Sequence, residues 1–204
     1  MATTSRATLG EELAWHYANL ARADMAVSQK VERFSIIHHM IRAKLYKGLV
    51  SGTMGVRSFF DDEKFKIEKN RCSYCDSADA LSVDHLIPRK KLGSDYSENL
   101  ILACRHCNSS KRERDMLTWL HSQGKFPSLM LLRRYLKLIY FFCQDHGLMD
   151  IRMEDAFDME LPFDLKNMAA NLVPLYSPSQ LSLEKIIAFP IRHRSQTIIG
   201  DATK

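Results

Sequence analysis

Between residues 11 and 48 apolar side chains recur every three or four positions, the period of helices laid against a core. The tract predicts two helices that break near Ser28. In the second, Val31, Phe34, Ile37, Ile41 and Leu45 make one apolar stripe, and Gly48, Ser51, Gly52 and Gly55 punctuate its end. A charged connector, residues 61–70, follows. The pattern then changes: residues 81–88 begin as a short strand that stops at Pro88, and residues 99–104 read as a second strand. Residues 107–122 return to a helical pattern closed by Gly124, and residues 129–142 do so again with Gly147 as the stop. From Asp145 to Asp164 seven acidic residues stand against one basic residue, Arg152, among Met and Phe. The remainder, through Pro174, Pro178 and Pro190, reads as short helices and loops ending in a frayed tail. The expected fold is α+β, with three regions: helical 1–60, a hairpin-and-helix core at 61–125, and mainly helical 126–204.

Composition changes this picture little. Apolar residues make up 46% and charged residues 26% of 204 residues, ordinary for a globular protein. The net charge of +5 is compatible with a polyanionic partner and does not demand one. The most apolar run, residues 128–143, is broken by Arg133, Arg134 and Lys137, which excludes a membrane span there. Residues 1–20 have no apolar core and carry Glu11 and Glu12, so no secretory signal is read. A cytoplasmic location is therefore expected, with the five cysteines reduced or metal-bound.

Four of those cysteines carry the strongest signal. Cys72-Ser-Tyr-Cys75 and Cys104-Arg-His-Cys107 are two CxxC pairs separated by 28 residues. A CxxC on a tight turn brings two thiolates to one side, so two such turns can complete a tetrahedral site of four sulfurs. With no spare ligand position, that describes a structural Zn2+. A redox role is disfavoured because the motif is duplicated in one short segment. His106, inside the second turn, could replace a sulfur, although a surface position suits it better. Cys143, alone in an apolar helix, reads as a buried free thiol.

Between the pairs lie Asp84-His85 before Pro88, a loop holding Arg89, Lys90, Lys91, Gly93, Ser94 and Asp95, and then Asn99-Leu100. The order C-x2-C, V-D-H-x-x-P, N-L, C-x2-C-N-x2-K resembles the HNH endonuclease family, whose core is the ββα-metal finger. The likeness covers residues 72–111, about a fifth of the chain. It implies His85 as general base, Asp84 and Asn108 as ligands of one divalent ion, and Asn99 as the residue that orders the loop and orients the histidine. The chemistry is coherent: imidazole can accept a proton near neutral pH, and carboxylate and amide oxygens suit Mg2+. Many family members carry histidine where this chain has Asn108. The resulting H-N-N pattern favours Mg2+ or Mn2+ over softer metals.

Lys111, Arg112, Arg89 and Lys90 are candidate phosphate contacts, with a solvated charged face as the plain alternative. Trp119, at helical spacing with Met116 and Leu120, reads as core. The function implied is Mg2+-dependent cleavage of DNA leaving a 5′-phosphate and a 3′-hydroxyl, with restriction or phage defence as the leading biological setting. Two rival readings are a non-catalytic zinc module that binds nucleic acid and an RNA-directed nuclease or toxin. The helical flanks could also dock a protein partner or a second copy of the chain.

Overall fold

A computed structural model of the chain describes residues 6–59, 70–171 and 177–188. The charged connector, Asn70 excepted, lies outside the described residues, as do Pro174, Pro190 and the tail. Helix α1 spans Leu9–Ser28. Thr8 starts it by accepting a hydrogen bond from the Glu11 backbone at 3.2 Å, and Glu11 and Glu12 in the first turn complement the helix dipole. Helix α2, Ile36–Val50, folds back against α1.

The break near Ser28 is as expected, but the stripe expected from Val31 to Leu45 is not one helix face. The chain turns at Lys30, whose φ is +55°, and Ser35 begins α2, its backbone N–H donating to His38 Nδ1 at 3.0 Å. Val31 and Phe34 therefore lie in the connection. The face of α2 turned inward is His38, Leu45 and Leu49, whereas Ile36, Ile37 and Met40 are exposed.

Strands β1 (Leu81–His85) and β2 (Leu100–Cys104) pair antiparallel, Leu81 opposite Cys104 and His85 opposite Leu100. The single helix expected over residues 107–122 is two: α3, Arg105–Lys111, and α4, Met116–Ser122. Arg112 adopts φ +53°, which stops α3, and Asp115 starts α4 by accepting from Thr118 N at 3.0 Å. Gly124 at φ +65° then lets the chain leave α4. A two-residue strand β3, Lys125–Phe126, leads to α5, Leu129–Asp145, which Ser128 caps through Leu131 N and Gly147 follows at φ +66°.

The cations that interrupt the apolar run of α5 all have partners. Arg133 pairs with Asp24 at 2.8 Å, Arg134 donates to Ser97 O at 2.6 Å, and Lys137 donates to Ser58 O at 2.8 Å. No helix among the described residues is long and apolar enough to cross a membrane. In the acidic stretch, short helix α6 (Met153–Ala156) buries Met153 and Ala156 and leaves Glu154 and Asp155 exposed. Helix α7 (Leu165–Asn171) and strand β4 (Ile187–Ala188) follow, β4 pairing with β3.

One apolar core joins all three regions. It runs from Leu13 and Leu20 of α1 through Tyr74, Ile101 and Trp119 to Leu132, Tyr135 and Ile139 of α5 and on to Phe163 and Met168. Asp115 sits inside it, 4% exposed, capping α4 and accepting the Tyr135 hydroxyl. Asp115→Ala removes both acceptors and strands a buried phenol, whose hydroxyl is already held well above its usual pKa by burial and then by Asp115. A loss of about 2–4 kcal/mol is expected, the cap and the unpaired hydroxyl each contributing 1–2, read as a lower denaturant midpoint with unchanged slope.

Candidate active site and zinc centre

The first CxxC sits on a turn that its own backbone closes. Cys72 N donates to Ser77 O at 2.8 Å, Asp76 N to Cys72 O at 2.9 Å, and Ser73 N reaches across to Leu102 O on β2 at 2.8 Å. The second lies where β2 enters α3, with Cys107 N donating to the Cys104 sulfur at 3.4 Å. The hairpin brings the two turns together. All four sulfurs lie within 4.8 Å of one another, Cys75 and Cys104 at 3.6 Å. Zn–S bonds of about 2.3 Å in a tetrahedron require sulfurs about 3.8 Å apart, so the cluster fits one zinc with four thiolates. His106 is exposed and outside the cluster. Cys104 is drawn down to about 7, chiefly by the Cys107 backbone N–H, whereas burial pushes Cys107 up. Cys143 is buried in α5, and burial raises its thiol to about 12.

Tyr74, between the first two cysteines, ties the zinc turn to the hairpin. It is 1% exposed, packs edge-on against Trp119 with ring centroids 4.8 Å apart, and donates its hydroxyl to Asp84 Oδ2 at 2.7 Å. Trp119 is core, as expected. On β1, Ser82 and Asp84 share one face because side chains alternate, and α3 lies across it. Asn108 donates to Ser82 Oγ and Val83 O, both at 3.1 Å. One turn further on, Lys111 Nζ reaches Asp84 (3.3 Å to Oδ1, 3.2 Å to Oδ2) and His85 O at 2.7 Å.

His85 points the other way, into the loop. Its Nε2 is 2.8 Å from Asp95 Oδ1, and Arg89 approaches the same carboxylate at 3.3 Å. Asn99, 1% exposed, locks the loop. Its amide oxygen accepts from Ile87 N at 2.8 Å and its amide nitrogen donates to Ile87 O and Ser94 O at 2.9 Å. Gly93 completes the lock, because a Cβ there would come within 1.8 Å of Ile87 O. Asp84 and His85 thus leave opposite faces of β1, Asn99 locks the loop that follows His85, and Asn108 lies on α3 against Ser82 and Val83.

Residues 72–114 match the family model described as HNH endonuclease. The segment is an HNH domain. No curated protein and no solved structure matches the chain. An HNH domain carries a nuclease-type or nucleic-acid-binding function, and this one holds a four-cysteine zinc site.

Among the expected phosphate contacts, Lys111 is a correction. It is fully buried, and burial lowers its pKa against the opposing pull of Asp84. Its cation serves the interior of the HNH domain and faces no solvent. Arg89, Lys90 and Arg112 remain exposed, Lys90 pairing with Glu113. Tyr74 and Asp95 have no role assigned from the sequence. A tyrosine inside a CxxC and an aspartate in a charged loop carry no spacing signal of their own.

Two outcomes test the HNH domain's frame. One zinc per chain is expected by elemental analysis of protein prepared without chelator, and Cys72→Ser should unfold or aggregate, because metal binding is folding free energy here. Lys111→Ala leaves Asp84 buried and uncompensated. A loss of about 3–5 kcal/mol is expected in denaturant unfolding, whereas a purely surface lysine would change stability by under about 0.5 kcal/mol.

Proposed function

We propose that the HNH domain hydrolyses phosphodiester bonds in DNA, with His85 as general base and a hard divalent cation, Mg2+ or Mn2+, at Asp84 and Asn108. The observation that carries this reading is the His85–Asp95 pair beside the Asn99-locked loop. A carboxylate only accepts, so Nε2 carries the hydrogen facing Asp95 and the lone pair resides on Nδ1. The half-exposed ring can then take a proton from a water at that nitrogen, while Asp95 holds the tautomer and steadies the resulting imidazolium. Asn99 and Gly93 keep the loop from drifting, which matters because a base must sit within hydrogen-bond reach of its water.

The donor set suits the ion. Asp84 and Asn108 offer hard oxygens. A carboxylate has about four lone-pair sites, of which the Tyr74 hydroxyl and the Lys111 ammonium use two or three. The Asn108 amide oxygen makes no hydrogen bond among the described residues. When bound, the ion supplies charge stabilisation at the scissile phosphate and the leaving oxygen. Arg89, Lys90 and Arg112, exposed on the domain, would hold flanking phosphates, and the regions on either side of the HNH domain would set target preference. Restriction or phage defence in the cytoplasm is the biological setting in this reading.

A second reading, a non-catalytic module that binds nucleic acid, is favoured by one observation. Asp84 is 5% exposed, with the Lys111 ammonium already against it. Supercoiled plasmid, linear DNA and RNA incubated with the zinc-loaded chain, with and without Mg2+, separate the possibilities. Cleavage of DNA that requires Mg2+ is expected. Cleavage of RNA alone would redirect the substrate, and binding without cleavage would leave the second reading. His85→Ala should lower the rate by about 10²–10⁴-fold while keeping zinc, fold and DNA affinity. Asp84→Ala and Asn108→Ala should instead raise the Mg2+ needed. A folded, zinc-loaded His85→Ala that cuts as fast as the parent would place the chemistry elsewhere.

A further inference from the structure

Positive charge is concentrated outside the HNH domain. Residues 29–58 hold Lys30, Arg33, Arg42, Lys44, Lys47 and Arg57 against one acid, Glu32. That net +5 equals the net charge of the entire chain. Behind this segment, on α1, stands Arg22, 4% exposed, whose Nε makes no hydrogen bond. Its Nη1 lies 3.4 Å from His39 Nδ1, and its guanidinium stacks 4.0 Å over the Phe34 ring. Arg42 of α2, half-buried, lies 4.7 Å over the Trp15 ring, and its Nε is likewise buried without an acceptor.

No carboxylate among the described residues pairs with either arginine. The acids of α1 are engaged elsewhere: Glu12 with His16 and Arg6, Asp24 with Arg133, Glu11 with the Ala7 backbone. Burial and then Arg42 pull Arg22 down to about 10, and burial with the same two arginines lowers His39. Aromatic stacking engages the planes of the guanidiniums and leaves both Nε–H groups without an acceptor, while Arg22 Nη1 reaches only the His39 ring. Two cations close enough to influence one another, each with a buried Nε that lacks an acceptor, are a costly arrangement unless an anion completes it.

We propose that Arg22, Arg42 and His39 form a phosphate-binding site between α1 and α2 that holds a backbone phosphate of bound nucleic acid. Arg22 is the buried floor, and the half-exposed Arg42 and His39 are the mouth. Guanidinium forks match phosphate oxygens, which can accept several donors at once. Lys44 and Lys47, exposed further along α2, continue the charge beyond what one free phosphate needs, which favours a polyanion. The polymer's identity rests on the nuclease reading; the phosphate site itself does not.

The test uses the whole zinc-loaded chain carrying His85→Ala, without added Mg2+ or Mn2+. Binding of a labelled DNA duplex is followed by anisotropy across a salt series. Arg42→Gln should weaken binding roughly ten-fold at low salt and reduce the slope of log affinity against log salt by about one. His39→Gln, a second half-exposed position, should weaken it less. Arg152→Gln, on the acidic stretch, should change nothing. Affinity and slope equal to the parent in both folded Arg42→Gln and His39→Gln would overturn the proposal. So would inorganic phosphate stabilising the chain through Arg42 while DNA affinity ignores Arg42, which would make this a free-phosphate site. If Arg42→Gln weakens DNA binding but the unsubstituted chain never cuts DNA, the nuclease reading fails and this site stands.

Discussion

Four thiolates that must share one tetrahedral centre are the constraint from which the rest of the site follows. A hairpin of two five-residue strands is marginal by itself, and helix α3 has only seven residues, too short to persist alone. Gathering Cys72 and Cys75 with Cys104 and Cys107 fixes the segment before β1 against the junction of β2 and α3. Register follows from that clamp, because a slip of one residue in β1 would turn Asp84 outward and His85 inward. The cysteine clamp thus acts at a distance from Asp84 and His85, by deciding which face each side chain takes.

Tyr74 carries the clamp inward. Its ring rests on Trp119 and its hydroxyl on Asp84, so the zinc turn, the core and the candidate metal carboxylate move as one unit. Lys111 closes the same unit from α3 by holding Asp84 and the His85 carbonyl together. A buried ammonium and carboxylate gain little net stability relative to apolar packing, yet losing one partner is costly. Such a pair fixes geometry more than it adds stability. Just beyond Lys111, Arg112 takes a positive φ that ends α3, and Asp115 begins a new helix.

What was legible in the sequence is what short-range spacing encodes. The two CxxC turns sit at fixed offsets, and the fold brings their four sulfurs together, while the Asp-His pair before Pro88 falls on β1, Asn99 just before β2 and Asn108 on α3. The break of the long helix was not legible, because residues 107–122 keep a helical pattern through Arg112 and only a backbone angle interrupts it. Nor was the depth of Lys111, since burial of a lysine depends on a carboxylate 27 positions earlier. The stripe from Val31 to Leu45 misled for a related reason. Periodicity shows that a face exists, but Ser35 decides where the helix starts and therefore which residues share it. The pairing of β3 with β4 joins residues some sixty positions apart through two residues each, too little for any pattern to register.

The flanking helices are bound into the same core as the HNH domain, and this bears on how specificity could arise. Arg134 of α5 holds the carbonyl of Ser97, two residues before the loop-locking Asn99, and Asp115 joins α4 to Tyr135 of α5. Displacement of α5 would therefore be felt at the loop that aims His85. Helix α1 packs on both α2 and α5, so the uncompensated arginines between α1 and α2 are mechanically continuous with that loop. Energetic coupling needs an element with two arrangements whose balance both sites bias; a packed core of this kind transmits position well but supplies no second arrangement by itself. A ligand between α1 and α2 is thus better placed to fix where a nucleic acid lies relative to His85 than to switch the histidine on or off.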